Sequence, residues 1–290
     1  MRVSLVLLSA SLLLARCNQP LFGPQPAEVK PALWVVRDAD TTLYLFGTIQ
    51  PVKAGHRWFA GPLRKAFDAS SELVLEKVEA RRGEDLSALI ETQSGKPPTP
   101  LSADTRARLA ECLRQLRVPP EAPRKTSIWR LAMKLSAWSA RHAGYPAGYG
   151  IERMLIAVAD AHHISRVSLD APLVYYGDYA NLSPPAQEAM LRQALAMMPK
   201  TKANVEANTQ AWEKGDAEGL ARLVNADLAV SPELTKILLT DRDRRWTDWV
   251  AARMKRPGTV FVAIGAGHLA GPAGMLAEIG KRGLKVERVQ

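Results

Sequence analysis

The chain has 290 residues, of which 47% are apolar, 23% charged and 6% aromatic. This composition excludes a disordered or low-complexity polymer and leaves room for a sizeable globular core. Lys and Arg outnumber Asp and Glu by 39 to 29, for a net charge of +10, but the basic residues are scattered as solvated faces, in "ARRGED", "RKTSIWR", "DRDRRW" and "GKRGLKVERV". No nucleic-acid-binding motif accompanies them, so that partner class is not expected, whereas an anionic membrane surface or acidic polysaccharide is compatible with the charge.

The first segment, "MRVSLVLLSASLLLARC" (1–17), places Arg2 before an apolar run from Val3 to Leu14. That is the layout of a secretory signal and is too short to span a bilayer. Cleavage falls either near Ala15 or, as in a bacterial lipoprotein, before an acylated Cys17; Arg16 departs from the small residue usual in the latter. Residues 18–32, "NQPLFGPQPAEVKPA", read as a proline-rich tether. The chain is therefore expected to be exported, to the periplasm or as a membrane-anchored lipoprotein of a bacterial cell envelope. Cys112 lies on a helical pattern as a core thiol, and no Cys/His cluster suggests structural zinc.

"ALWVVRDADTTLYLFGT" predicts a β-hairpin with strands over 33–37 and 42–47 and a turn at Asp38-Ala39-Asp40. "GPLRKAFDASS" predicts a short amphipathic helix, and "ELVLEKVE" a strand with Glu76 near its end. From about Asp85 to Ala143 the pattern is helical with proline-rich breaks, and Thr126 or Ser127 caps the helix in "TSIWRLAMKLSAW". A Gly/Pro loop leads into a helix over 151–161, with Glu152 in its first turn where an acid suits the helix dipole. "SRVSLDA" predicts a short strand; helices follow at "SPPAQEAMLRQALAMM", "VEANTQAWEKG", "AEGLARLVNADL" and "LTKILLTDRDRRWTDWVAARMK". The chain closes with strands "TVFVAIGA" and "LKVERV" around the helix "AGMLAEIGKRG". This order predicts an α/β (α+β) fold, a mixed β-sheet built from both chain ends and covered by a helical middle region.

Two segments share one construction. "TVFVAIGAGHLAG" (259–271) runs an apolar strand into Gly265, Gly267 and His268. "TTLYLFGTIQP" (41–51) runs another into Gly47 and Gln50. Laid together, Gly47 falls on Gly265 and Gln50 on His268. Glycine at a strand exit permits a tight turn or a close approach, and the exit edge of a helix-covered sheet is where ligands bind. If the strands are neighbours, Gln50 and His268 face one cleft. A histidine at such a junction also serves as a plain cap or gap filler.

With "LVLE", "YGIERMLIAVADAHHISRVSLD", "DRDRRWTDWV" and "VFVAIGAGHLAGPAGMLAEIGKRGLKVERV" in order, the chain resembles the TraB/GumN family. That family is related to the Tiki metalloproteases and more distantly to erythromycin-esterase and ChaN-like proteins. The resemblance implies one such domain over 33–290 and a metal-dependent, peptidase-like hydrolase. It assigns the metal and catalytic roles to Glu76 and His268, and leaves Gln50 where the family carries the histidine of Gly-Thr-x-His. It also implies substrate-binding or supporting roles for Glu152 and Arg242, the latter through Glu76 or a substrate carboxylate, and a weaker one for Asp170. Manganese, cobalt or zinc is the implied metal. An amide oxygen is a poorer donor than imidazole for these ions, so Gln50 weakens such a centre or abolishes it. His56 is a substitute ligand or a surface-loop residue. Trp246 and Trp249 read as packing residues, His162 and His163 as a helix end. The alternative is a catalytically inactive envelope protein that binds a peptide, a glycan or another envelope protein. No Gly-x-Ser-x-Gly elbow points to a serine hydrolase.

Overall fold

Strand pairing follows the apolar runs. In the computed structural model, residues 29–52, 57–78, 100–123, 126–145 and 150–290 are described; the leader with Cys17, most of the tether, His56 and the start of the helical region after Asp85 lie outside them. The strands are β1 (Leu33–Arg37), β2 (Thr41–Thr48), β3 (Glu72–Leu75), β4 (Ser165–Ser168), β5 (Gly258–Gly265) and β6 (Val286–Arg288). They form one six-stranded sheet in the order β4-β3-β5-β2-β1-β6.

β1 and β2 form the expected antiparallel hairpin, from Leu33 opposite Phe46 to Arg37 opposite Thr42. Asp38 closes the turn: its carboxylate accepts the Thr41 N–H at 2.9 Å and its own N–H donates to the Thr41 carbonyl at 3.1 Å, an Asx-type turn. β5 runs parallel to both β2 and β3, and β4 parallel to β3. Val260 to Ile264 are all buried, which accounts for the uninterrupted apolar run of a strand covered on both faces.

The side-chain period of two divides the core. Phe46, Leu73, Phe261 and Ala263 face one cluster with Trp58, Phe67 and Trp212; Leu45, Val74, Val262 and Ile264 face another with Trp246 and Val250. In the first, Phe46 stacks on Trp58 at 5.9 Å between ring centroids. The middle of the chain adds a helical cluster around Leu113, Leu131, Leu135 and Leu191. Cys112 is buried there, and burial pushes its thiol pKa up, as suits a packing residue. Ser127 is the residue preceding the helix Ile128–His142.

Because β2, β3, β4 and β5 point the same way, the segments after them leave at one edge. The register differs by one residue from the alignment of the glycine segments: Thr48, not Gly47, pairs with Gly265. Gly47 instead lies under Ala266, whose Cβ and Cα would be 3.0 and 3.1 Å from a methyl group built there. The buried Trp212 indole donates to the Gly47 carbonyl at 2.8 Å, tying the helix Thr201–Glu213 to the end of β2. Trp212→Phe keeps most of the ring packing and removes that donor. It is expected to cost about 1–3 kcal/mol of unfolding free energy, read by chemical denaturation; an unchanged midpoint and slope contradict this role.

Candidate functional site at the sheet edge

A cavity of roughly 270 Å³ opens at this edge and is lined by Gln50, Glu76, Tyr175, Tyr179, Arg242 and His268, among others. The end of β5 shapes it. Gly265 leads into a single tight turn, Ala266–His268, and a methyl group built on Gly265 would stand 2.9 Å from Glu76 Oε1 and 3.6 Å from His268 Cδ2. The missing side chain is what lets carboxylate and imidazole share that corner. The Gly265 N–H donates to Glu76 Oε1 at 2.7 Å, fixing the carboxylate just beyond β3. Gly267 is equally confined: a methyl there would meet Val224 Cγ2 at 2.7 Å, while its carbonyl accepts from Asn225 Nδ2 at 2.8 Å.

His268 is held from two sides. Its Nδ1 lies 2.6 Å from Asp243 Oδ1, with the two side chains 13% and 1% exposed, and the Trp246 ring lies 4.5 Å away between centroids. Cδ2, on the ring edge away from Asp243, is the atom that faces Gly265, and His268 and Glu76 line the same cavity. Burial pushes the Asp243 carboxyl above its usual range; the bond to His268 pulls it back in part and nearby Glu76 adds to the rise. Asp243 Oδ2 is buried without a hydrogen-bond partner among the described residues. Asp243 stands at the start of the helix Asp241–Arg253, directly after the π-helical turn Lys236–Thr240. Wide turns of this kind recur at functional sites, where they shift which side chains face a cavity.

Arg242 is almost fully buried beneath two phenols. Its Nε donates to Asp178 Oδ2 at 2.9 Å and its Nη2 to the Tyr175 carbonyl at 2.7 Å. Its guanidinium lies 4.2 and 4.9 Å from the ring centroids of Tyr175 and Tyr179. Burial opposes the charge, but both tyrosines and Asp178 outweigh burial and raise the pKa further, so the group stays cationic. Arg245 extends the network to Asp178 at 2.8 Å and Asp170 at 3.1 Å. Burial, then Tyr179 and Glu76, hold the Tyr175 pKa well above the ordinary phenol value, so its hydroxyl keeps its proton.

A profile of the TraB/PrgY/gumN family matches residues 32–288. The chain belongs to the TraB/PrgY/gumN family. It is also similar, at 26% identity over 180 residues, to the uncharacterised protein YbaP of Escherichia coli strain K12 and to YbaP of Shigella flexneri. Those matches cover 59% of this chain and 63% of each relative, less than two thirds of their length. No solved structure matches the chain.

In this member of the TraB/PrgY/gumN family, Gln50, Glu76, Arg242, Gly265, Gly267 and His268 all line the one cavity. Gly47 supports it from beneath Ala266. Glu152 is outside the lining and approaches Gln50, whose Nε2 is 3.4 Å from Glu152 Oε2. The Arg242 guanidinium bonds Asp178 and the Tyr175 carbonyl, while Glu76 accepts from the Gly265 N–H. Asp170 bonds Arg245, and its N–H donates to the Glu76 carbonyl at 3.0 Å. Trp246 packs in the second apolar cluster and also against the His268 ring.

Sequence reasoning missed Asp243, although it adjoins Arg242, and passed over the helix Pro172–Ala180 with Tyr175, Asp178 and Tyr179. Phenols at 175 and 179, one turn apart, were the available signal. As a metal site the donor set falls short. Glu76 and His268 are two strong donors and Gln50 adds a neutral amide, and among the described residues no group of three His, Cys, Asp or Glu side chains is arranged around an ion; zinc-type catalytic centres use three protein ligands.

The raised Asp243 pKa has a consequence for stability. A carboxyl that binds its proton more tightly when folded contributes stability fully present below its unfolded pKa of about 4, and loses it as pH rises through the folded value. Asp243→Asn lacks that loss. Its melting temperature relative to the unsubstituted protein should therefore climb as pH rises from about 4 toward neutrality; a flat difference contradicts the assignment.

Proposed function

We propose that the chain is a hydrolase of amide or ester bonds, with Glu76 and His268 as its reacting groups. The observation that supports this most is the buried Asp243 carboxylate 2.6 Å from His268 Nδ1. A carboxylate there favours the tautomer with the proton on Nδ1, leaving Nε2 as an acceptor in the cavity that Glu76 also lines. Catalytic imidazoles that act as general bases are oriented in the same way. In the proposed reaction a water at this corner gives a proton to Nε2 as its oxygen bonds to the substrate carbonyl carbon. The carbonyl electron pair moves to oxygen, and Asp243 offsets the imidazolium charge. As the intermediate collapses, the proton passes from His268 to the leaving nitrogen or oxygen. Glu76, whose Oε1 is held by the Gly265 N–H, orients the water through its other carboxylate oxygen, and the buried Arg242 cation in the same lining favours the developing oxyanion.

The family resemblance implies a manganese, cobalt or zinc ion. His268 Nε2, Glu76 and Gln50 are the groups that would hold it, and its chemistry would be to acidify a bound water. That set is short of a strong third donor. Gln50 also favours a second reading, an inert envelope protein that binds a peptide, glycan or protein partner. We further propose export from the cytoplasm through the apolar leader and, in its lipoprotein form, an anchor at Cys17.

Hydrolysis of chromogenic ester and fluorogenic peptide probes separates the two readings. Glu76→Gln and His268→Ala should each lower the rate by about a hundredfold or more with the fold intact; equal rates in all three proteins overturn the hydrolase. Calorimetry of the same proteins and of Gln50→His tests the metal. Gln50→His should raise manganese, cobalt or zinc affinity by about an order of magnitude or more, and adding His268→Ala should abolish the gain. Unchanged affinity, or a gain that survives the second substitution, contradicts a shared metal site.

A further inference from the structure

We propose that Asn225 is a positioning residue for His268, acting through the Gly267 carbonyl, and that the helix Ala217–Asn225 is the splint that fixes the reacting imidazole in the cavity. The inference rests on the hydrolase reading for what His268 does, and on the hydrogen bonds of its turn for how it is held.

Sheet pairing stops short of His268. The ladder between β2 and β5 ends with Thr48 opposite Gly265, so the backbone of 266–271 needs other partners. Within the turn, the Leu269 N–H reaches the Ala266 carbonyl at 3.3 Å, and the Leu269 carbonyl accepts from the Leu276 N–H at 3.0 Å. Gly267 and Gly271, on either side of His268, are both held by side chains of one helix. Asn225 Nδ2 donates to the Gly267 carbonyl at 2.8 Å, and the Gly271 N–H donates to Glu218 Oε1 at 3.1 Å. Glu218 and Asn225 are two turns apart, which puts them on one face about 10 Å apart along the axis. The stretch from Gly267 to Gly271 spans at most about 14 Å, so that face brackets His268.

The helix itself is firmly seated. Asp216 caps its start by accepting the Gly219 N–H at 2.8 Å. Leu220 and Ala221 are buried, and Leu220 shares an apolar cluster with Ala266. At the other end Val224 packs on the same cluster, and a methyl group built on Gly267 would collide with the side chains of both Val224 and Asn225. Helix and turn are therefore packed as one unit. Asp243 orients the ring through Nδ1, whereas Asn225 fixes the backbone that carries the ring; a reacting imidazole needs both. Asn225 lines the cavity, but its amide nitrogen is turned to Gly267, so it acts on His268 rather than on substrate.

Asn225→Leu and Asn225→Asp both remove the donor at nearly the same size, one without charge and one with it. Against a chromogenic ester, each should lower kcat by about tenfold to a hundredfold and leave KM within about twofold. In NMR spectra of the full chain, the imidazole signals of His268, assigned by their loss in His268→Ala, should shift and broaden in both variants. Leu223→Ala, at an exposed position of the same helix, should alter neither readout. An unchanged kcat with unmoved His268 signals in both Asn225 variants overturns the inference and leaves the hydrolase reading standing. So does a rise in KM at constant kcat, which marks a substrate contact, or an equal effect in Leu223→Ala, which marks a general loosening of the helix. If no protein hydrolyses the ester but the His268 signals move in the Asn225 variants alone, the anchoring of His268 stands and the hydrolase reading fails. No hydrolysis and unmoved signals overturn both.

Discussion

The arrangement depends on β5 lying parallel between β2 and β3. In a parallel sheet successive strands deliver their ends to one edge, so residues separated by some two hundred positions in the chain meet there. Gln50 follows β2, Glu76 follows β3, Asp170 follows β4 and His268 follows β5. An antiparallel β5 would send His268 to the far edge and leave Glu76 without the Gly265 N–H. The complete burial of Val260 to Ile264 enforces this pairing, because that strand has no solvent face to present in any other position.

On that frame the site is built by omission as much as by contact. Three glycines make room: Gly47 for Ala266, Gly265 for Glu76 and His268, Gly267 for Val224 and Asn225. Asp243 is the costly element. With no partner for Oδ2 among the described residues, it carries a penalty of about 1–3 kcal/mol, and burial pushes its pKa up. Structures tolerate such groups mainly where chemistry needs them. Here the cost holds one imidazole in one orientation against Trp246. The neighbouring network of Arg242, Asp178, Arg245 and Asp170 is matched in charge, so it can be buried, and it locks the phenols of Tyr175 and Tyr179 beside the cavity.

Much of the fold was legible in the sequence because strand signals are local. Apolar runs ending in glycine marked β2 and β5, and Asp38-Ala39-Asp40 marked the hairpin turn. The exact register was not legible: matching Gly47 to Gly265 assumes that like residues pair, whereas Ala266 folding over Gly47 shifts the ladder by one. Within the site, Glu76 and His268 stood at strand ends, where position alone draws attention. Asp243 did not, because an acid among the arginines of "DRDRRW" reads as surface charge. The π-helical turn that precedes its helix leaves no simple sequence mark either. The helix carrying Tyr175 and Tyr179 begins at Pro172 without a side-chain cap and contains Gly177, so its helical signal is weak and its role is set by tertiary packing.

With Asp243 Oδ1 2.6 Å from Nδ1, neutral His268 should carry its proton on Nδ1 and present Nε2 as an acceptor. Nitrogen-15 NMR of the imidazole, with His268 assigned through its loss in His268→Ala, observes this directly. At a pH where the ring is neutral, the account predicts a protonated Nδ1 and an unprotonated Nε2, and a move toward a mixture of tautomers in Asp243→Asn. A neutral ring carrying its proton on Nε2, or the same tautomer ratio with and without Asp243, would contradict it.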